Sequence, residues 1–153
     1  LRKEISNRGI NSLRLFFGER LPESEYLARY RVADLFLDTQ PYNAGTTASD
    51  ALWMGLPVLT LCGNSFPSRM ASSLLHALKI PELITLNQDD YESLAIDLAI
   101  EPKKLKLIKA KLKNNILTAP LFDSHKFIKN LESVYLKIYD RRLNGLTPDH
   151  IYD

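Results

Sequence analysis

A chain of 153 residues, 45% hydrophobic and 25% charged, is long enough for one domain with a real core and has the composition of an ordinary globular protein. Its net charge of +2 gives no general reason to seek nucleic acid or a membrane surface, and no run reaches the ~18 apolar residues of a membrane span. The single cysteine, Cys62, excludes an intrachain disulfide framework, argues against a cysteine-based zinc site and fits a reducing, cytoplasmic setting.

Taken in chain order, short apolar runs alternate with helical patterns. Residues 12–17 (SLRLFF) read as a first strand. Residues 22–33 read as a helix, with Pro22 in its first turn and Glu23 and Glu25 near its positive end. Residues 34–38 form a second strand, and 48–54 a helix that stops near Gly55 and Pro57. Residues 57–62 (PVLTLC) are a third strand; 68–78 are a helix capped by Ser68; 82–85 are a short fourth strand. Three helices finish the chain, at 89–99, 102–117 and 124–143, the last with Ser124 as its cap. Strands alternating with helices over short connections predict an α/β fold: a Rossmann-like parallel sheet with helices on both faces, in one domain or lobe spanning 1–153. The chain opens on Leu1 with no signal-peptide pattern, and is expected to be a piece of a longer polypeptide.

The most informative stretch is Asp38-Thr39-Gln40-Pro41-Tyr42-Asn43-Ala44-Gly45-Thr46-Thr47-Ala48-Ser49-Asp50. It joins the buried-strand run Leu35-Phe36-Leu37 to a helix through a turn of small residues. The first amides of a helix lack internal partners and carry its partial positive charge, so such a tip is a natural anion site. The hydroxyls of Thr46 and Thr47 add hydrogen-bond donors, and Asp50, one turn on, offers an acceptor for sugar hydroxyls. A structural reading competes without excluding this one. Thr47-x-x-Asp50 fits a capping box, and Gly45 fits a turn. Ligands of open α/β sheets bind outside the carboxyl ends of the strands, where this turn and Gly63-Asn64-Ser65-Phe66 both fall.

Ordered motifs then carry a resemblance over most of the chain, from about Phe16 onward. They are Arg31-Val32-Ala33-Asp34-Leu35-Phe36-Leu37-Asp38-Thr39, Pro41-Tyr42-Asn43, Gly45-Thr46-Thr47, Asp50-Ala51-Leu52-Trp53, Gly55-Leu56-Pro57-Val58-Leu59-Thr60, Gly63 with Ser68-Arg69, Pro120-Leu121-Phe122 and Pro148-Asp149-His150. Together they resemble the C-terminal catalytic lobe of the O-linked N-acetylglucosamine transferase and SPINDLY glycosyltransferase family. The resemblance implies a GT-B architecture, with this chain as most of the lobe that holds the nucleotide half of a sugar donor, a UDP-linked one in the first instance. It puts Thr46 and Thr47, with Gly45, at the diphosphate, Asp50 at the ribose, and Arg29 and Tyr26 near the nucleotide. Animal members carry a histidine where this chain has Tyr26, and a lysine where it has Glu23, so uridine and guanosine both stay open. The resemblance also implies metal-independent transfer with no cofactor beyond the sugar nucleotide, a Ser or Thr acceptor on a protein, and upstream helical repeats and an opposite lobe in the same polypeptide. It gives no general base within this chain, which alone is expected to be inactive. Two alternatives stand beside it: a non-catalytic scaffold or nucleotide-binding module, and transfer from GDP-fucose or UDP-glucose, or to Asn.

Other residues read as structural. His76 and His125 belong to helices, His150 to a docking tail, and Trp53 to the core beneath the Thr-bearing helix. Arg69 fits either an anion contact or a loop-fixing salt bridge. The run Lys103, Lys104, Lys106, Lys109, Lys111 and Lys113 is a solvated helix face, lacking the aromatic platform of a single-stranded nucleic-acid site.

Overall fold

The computed structural model describes residues 1–151. Three parallel strands, β1 (Phe36–Leu37), β2 (Val58–Leu61) and β3 (Ile84–Thr85), lie in the order β1-β2-β3. Phe36 pairs with Val58 and Leu37 with Leu59; Thr60 pairs with Ile84 and Leu61 with Thr85. All four residues of β2 are buried, so both faces of the sheet are covered at its centre, as the apolar run of a parallel strand requires. The helices are α1 (Arg2–Asn7), α2 (Glu23–Arg29), α3 (Thr46–Trp53), α4 (Phe66–Ala77), α5 (Gln88–Ile100), α6 (Pro102–Ile116) and α7 (Ser124–Leu143).

The core joins Ala48, Ala51 and Leu52 of α3 to Leu56, Val58, Ala71, Leu75 and Leu78, and reaches Leu98 of α5 and Ile108 and Leu112 of α6. The helix α3 stops where Gly55 takes φ +82°, the left-handed turn glycine reaches at least cost. The amides of Gly55 and Leu56 close it by donating to the carbonyls of Leu52 and Ala51 at 3.0 and 2.8 Å. By contrast α1, α2 and α7 bury no residue. The tail turns back on α7 through Arg141, which donates to the Thr147 carbonyl at 2.6 Å and meets Asp149 at 3.3 Å.

Four local expectations give way. The run at 12–17 is no strand: Ser12–Arg14 is a short 3-10 turn, followed by irregular chain. The Asn11 side chain accepts from the Leu13 amide at 2.9 Å, a local bond that competes with an extended backbone, and Phe16 and Phe17 are exposed. The cap of α4 is Ser65, not Ser68. Ser68 is the other half of a capping box, its hydroxyl taking the Ser65 amide at 3.0 Å. The cap of α7 is Asp123, one residue before Ser124, accepting from the Lys126 amide at 2.9 Å. Trp53 is 53% exposed and meets Phe122 edge to face at 5.0 Å, because α3 turns its alanines and Leu52 to the sheet instead. The basic run of α6 lies on the surface as expected, with Lys104, Lys109 and Lys111 paired to Asp97, Asp34 and Glu82.

Gly63 sits where a Cβ would come within 2.7 Å of the Ser68 hydroxyl and 2.9 Å of its Cβ. Gly63→Ala is therefore expected to break the α4 capping box and lower stability by about 1 kcal/mol net of the alanine's stiffer unfolded chain. Urea unfolding of the purified protein reads this as a lower midpoint with an unchanged slope.

Candidate functional site

The site begins with a carboxylate. Asp38 directly follows β1, is 5% exposed, and accepts four hydrogen bonds through its carboxylate. Its Oδ1 takes the amides of Thr39 and Ala44 at 2.9 and 2.8 Å. Its Oδ2 takes the Asn43 side-chain amide at 2.9 Å and the Thr60 hydroxyl, from the adjacent strand, at 2.7 Å. Asn43 also donates toward Thr60 Oγ1 and the Leu61 carbonyl, so its two hydrogens are shared among three acceptors. Facing the carboxylate fixes the amide's orientation, and Asn43 Oδ1 is left without a partner. A buried charge is tolerable here because donors surround it. The result is a loop bent back on the sheet and clasped at both ends.

The clasped loop delivers the chain to α3 at Gly45. No side chain caps this tip, and the first intrahelical bond closes only from the Ser49 amide to the Gly45 carbonyl at 3.0 Å. The capping box expected from Thr47 and Asp50 does not form: Thr47 lies inside the first turn, and Asp50 instead accepts from the Tyr26 hydroxyl. Gly45 has φ −107°, so a left-handed turn is not what selects glycine. A Cβ there would come within 2.7 Å of the Met70 methyl, the flexible end of a side chain from α4 that packs close under the tip. Thr46 and Thr47 are exposed on a depression of about 340 Å³, lined also by Asp38, Tyr42 and Asn43. Uncapped amides, two hydroxyls and the positive end of a helix, held at the carboxyl edge of a parallel sheet, can take an anion without rearranging.

The remaining sequence-predicted residues form a second, adjoining group. The Tyr26 hydroxyl lies 3.3 Å from Asp50 Oδ2 and 2.5 Å from the Tyr30 hydroxyl, with the two rings edge to face at 5.3 Å. Arg29 places its guanidinium 5.5 Å over the Tyr26 ring and donates to the Glu19 carbonyl at 3.0 Å. It adjoins the tyrosine group, and it is not among the residues lining the depression at the tip. Arg69 fixes the loop before α4, but through the Asn64 carbonyl rather than a carboxylate. His76 and His125 are exposed on their helices. Burial pushes the Tyr30 phenol well above its ordinary value of 10.0, helped by its bond to Tyr26 and the charge of Asp50. Burial likewise raises Tyr91, next to the charge of Asp38, whose carbonyl accepts from the Tyr91 hydroxyl at 2.8 Å.

The roles of Asp38, Asn43, Thr60 and Tyr30 escaped the sequence. A polar residue closing an apolar strand run was the one visible signal for Asp38.

With this geometry in view the comparisons are decisive. Residues 1–131 match the family model for glycosyl transferase family 41. The chain belongs to glycosyl transferase family 41. A probable UDP-N-acetylglucosamine–peptide N-acetylglucosaminyltransferase SEC of Arabidopsis thaliana is 34% identical over 144 residues, covering 94% of this chain and 15% of that protein. The UDP-N-acetylglucosamine–peptide N-acetylglucosaminyltransferase of Caenorhabditis elegans is 32% identical, covering 99% of this chain and 13% of that protein. A solved O-GlcNAc transferase mutant of Thermobaculum terrenum superposes with a TM-score of 0.82 at 32% identity, over 90% of this chain and 26% of that one. The family 41 fold is thus the α/β lobe the sequence predicts, and the chain spans about one seventh of the length of these curated relatives. Among the described residues, no helix is long and apolar enough to cross a membrane.

Two outcomes test the geometry. Asp38→Asn would turn an amide toward the Asn43 and Thr60 donors, and is expected to cost about 2 kcal/mol or more in urea unfolding. The raised phenols set an alkaline limit. A folded-state value above the unfolded one stabilises fully below the ordinary phenol value of 10.0, and that contribution is lost as pH rises through the folded value. Stability should therefore fall as pH rises above about 10, and fall less steeply in Tyr30→Phe and Tyr91→Phe. Urea midpoints across that range give the slope.

Proposed function

We propose that this chain is the sugar-nucleotide-binding C-terminal lobe of a family 41 protein O-glycosyltransferase. The observation that carries the reading is the uncapped α3 tip with Thr46 and Thr47 beside it, clasped in place by Asp38. The activity for which the relatives are named, transfer of N-acetylglucosamine from UDP to peptide, supports a UDP-linked donor and a protein hydroxyl as acceptor. The whole protein, rather than this one-seventh of such a chain, would supply the opposite lobe, the acceptor-side groups and any helical repeats that present the acceptor. The lone thiol fits its working in the cytoplasm.

In the proposed reaction an acceptor oxygen attacks the anomeric carbon, the bond from that carbon to the diphosphate breaks, and negative charge grows on the leaving oxygen. The α3 amides and the two threonine hydroxyls stand ready for that charge at no cost of reorganisation. Gly45 keeps the tip close to α4, and Asp50 accepts from the ribose on the helix face it shares with Thr46 and Thr47, four and three residues away. Tyr26 and Arg29 border the nucleoside side of the same site.

The test is titration of the whole protein with uridine and guanosine diphosphates. Saturable binding that weakens in Thr46→Ala and Thr47→Ala is expected, with transfer slowed about 10²–10³-fold by loss of one such group. Transfer should persist in a chelator such as EDTA. A well-folded whole protein that binds neither diphosphate would instead favour a scaffold.

A further inference from the structure

Tyr30 takes no part in the reading above, although its hydroxyl makes the shortest side-chain contact of the site. A phenol has one hydrogen. Tyr26 spends its hydrogen on Asp50 Oδ2, so at the 2.5 Å contact Tyr26 must accept and Tyr30 must donate. The bonds therefore run one way, Tyr30 to Tyr26 to Asp50. Donors in series polarise one another, and a donor behind Tyr26 makes its own O–H a stronger donor. The last link, at 3.3 Å, is long for an O–H···O bond and is the one that most needs this support.

The anchor of the series is firm while its end is not. Tyr30 packs against the core, whereas α2 buries no residue of its own. Asp50 is half-buried, and among the described residues nothing donates to its Oδ1. A carboxylate held by one oxygen keeps the other available in a fixed direction on the threonine face of α3.

We propose that Tyr30 is a positioning residue, orienting Asp50 through Tyr26 so that the site selects a nucleotide with intact ribose hydroxyls. This rests on the reading of α3 as the sugar-nucleotide site. Tyr30 touches no ligand. It makes Asp50 pre-aimed rather than free to rotate, so the gain falls on ribose recognition and leaves diphosphate recognition untouched. Two half-buried phenols, one on α2 and one just past its end, thus set a preference exercised by a different helix.

The experiment measures binding to the whole protein of uridine and guanosine diphosphates, each beside its 2′,3′-dideoxy form. Tyr30→Phe keeps the ring and removes only the hydroxyl. It is expected to weaken the ribose forms about threefold to tenfold, the range of one hydrogen bond, and to leave the dideoxy forms unchanged. Tyr26→Phe should do the same or more. In Asp50→Ala, adding Tyr30→Phe should cause no further loss. The proposal is overturned if Tyr30→Phe weakens ribose and dideoxy forms alike, leaves both at wild-type affinity, or adds its full loss to Asp50→Ala. If Thr47→Ala weakens binding and Asp50→Ala removes the ribose preference while Tyr30→Phe and Tyr26→Phe do neither, the relay alone falls. If the wild type binds no diphosphate, the relay and the site reading fall together.

Discussion

One buried carboxylate governs the functional edge of this lobe. Asp38 stands where a two-residue edge strand would otherwise release the chain into solvent. By gathering the amides of Thr39 and Ala44 it folds the following loop onto itself, and by gathering Asn43 and Thr60 it ties that loop to the central strand. Bonds to a charged acceptor are worth more than neutral ones, about 1.5–3 kcal/mol each against an unmade partner. Tyr91 braces the same point from α5 through the Asp38 carbonyl. The direction in which α3 starts is therefore decided before the helix begins.

From that edge the molecule divides by burial. The sheet and helices α3 to α6 share one core, while α1, α2 and α7 bury no residue. Helix α2 still matters, since Tyr30 roots its end in the core and the tyrosine pair reaches across to α3. Polar contacts of intermediate exposure do the joining there, where apolar packing does it inside the core. The uncapped α3 tip belongs to the well-packed body, and the tyrosine pair to a more lightly held element.

What could be seen in the sequence follows the same division. The long amphipathic periods of α5, α6 and α7 gave helices within a residue or two, and the apolar runs ending at Asp38 and Cys62 gave the two strands that frame the site. The start of α3 was legible to within two residues because a helix tip advertises itself through small and hydroxyl residues at fixed offsets. The run at 12–17 misled because apolar content alone does not provide a neighbouring strand to bond to. Ser68 and Ser124 misled because several capping residues stood side by side, and only backbone geometry chooses among them. The Asp38 clasp was hidden because its partners lie up to 22 positions away and meet only when the strands pair.

The close approach of Met70 to Gly45 ties the composition of the tip to that of a helix twenty-five positions later. A side chain at 45 and the thioether at 70 draw on a single volume. The thioether is the free end of a flexible side chain, so a larger residue at 45 is admitted by a turn of the chain at 70, and the shape of this edge follows the rotamer at 70 as much as the residue at 45.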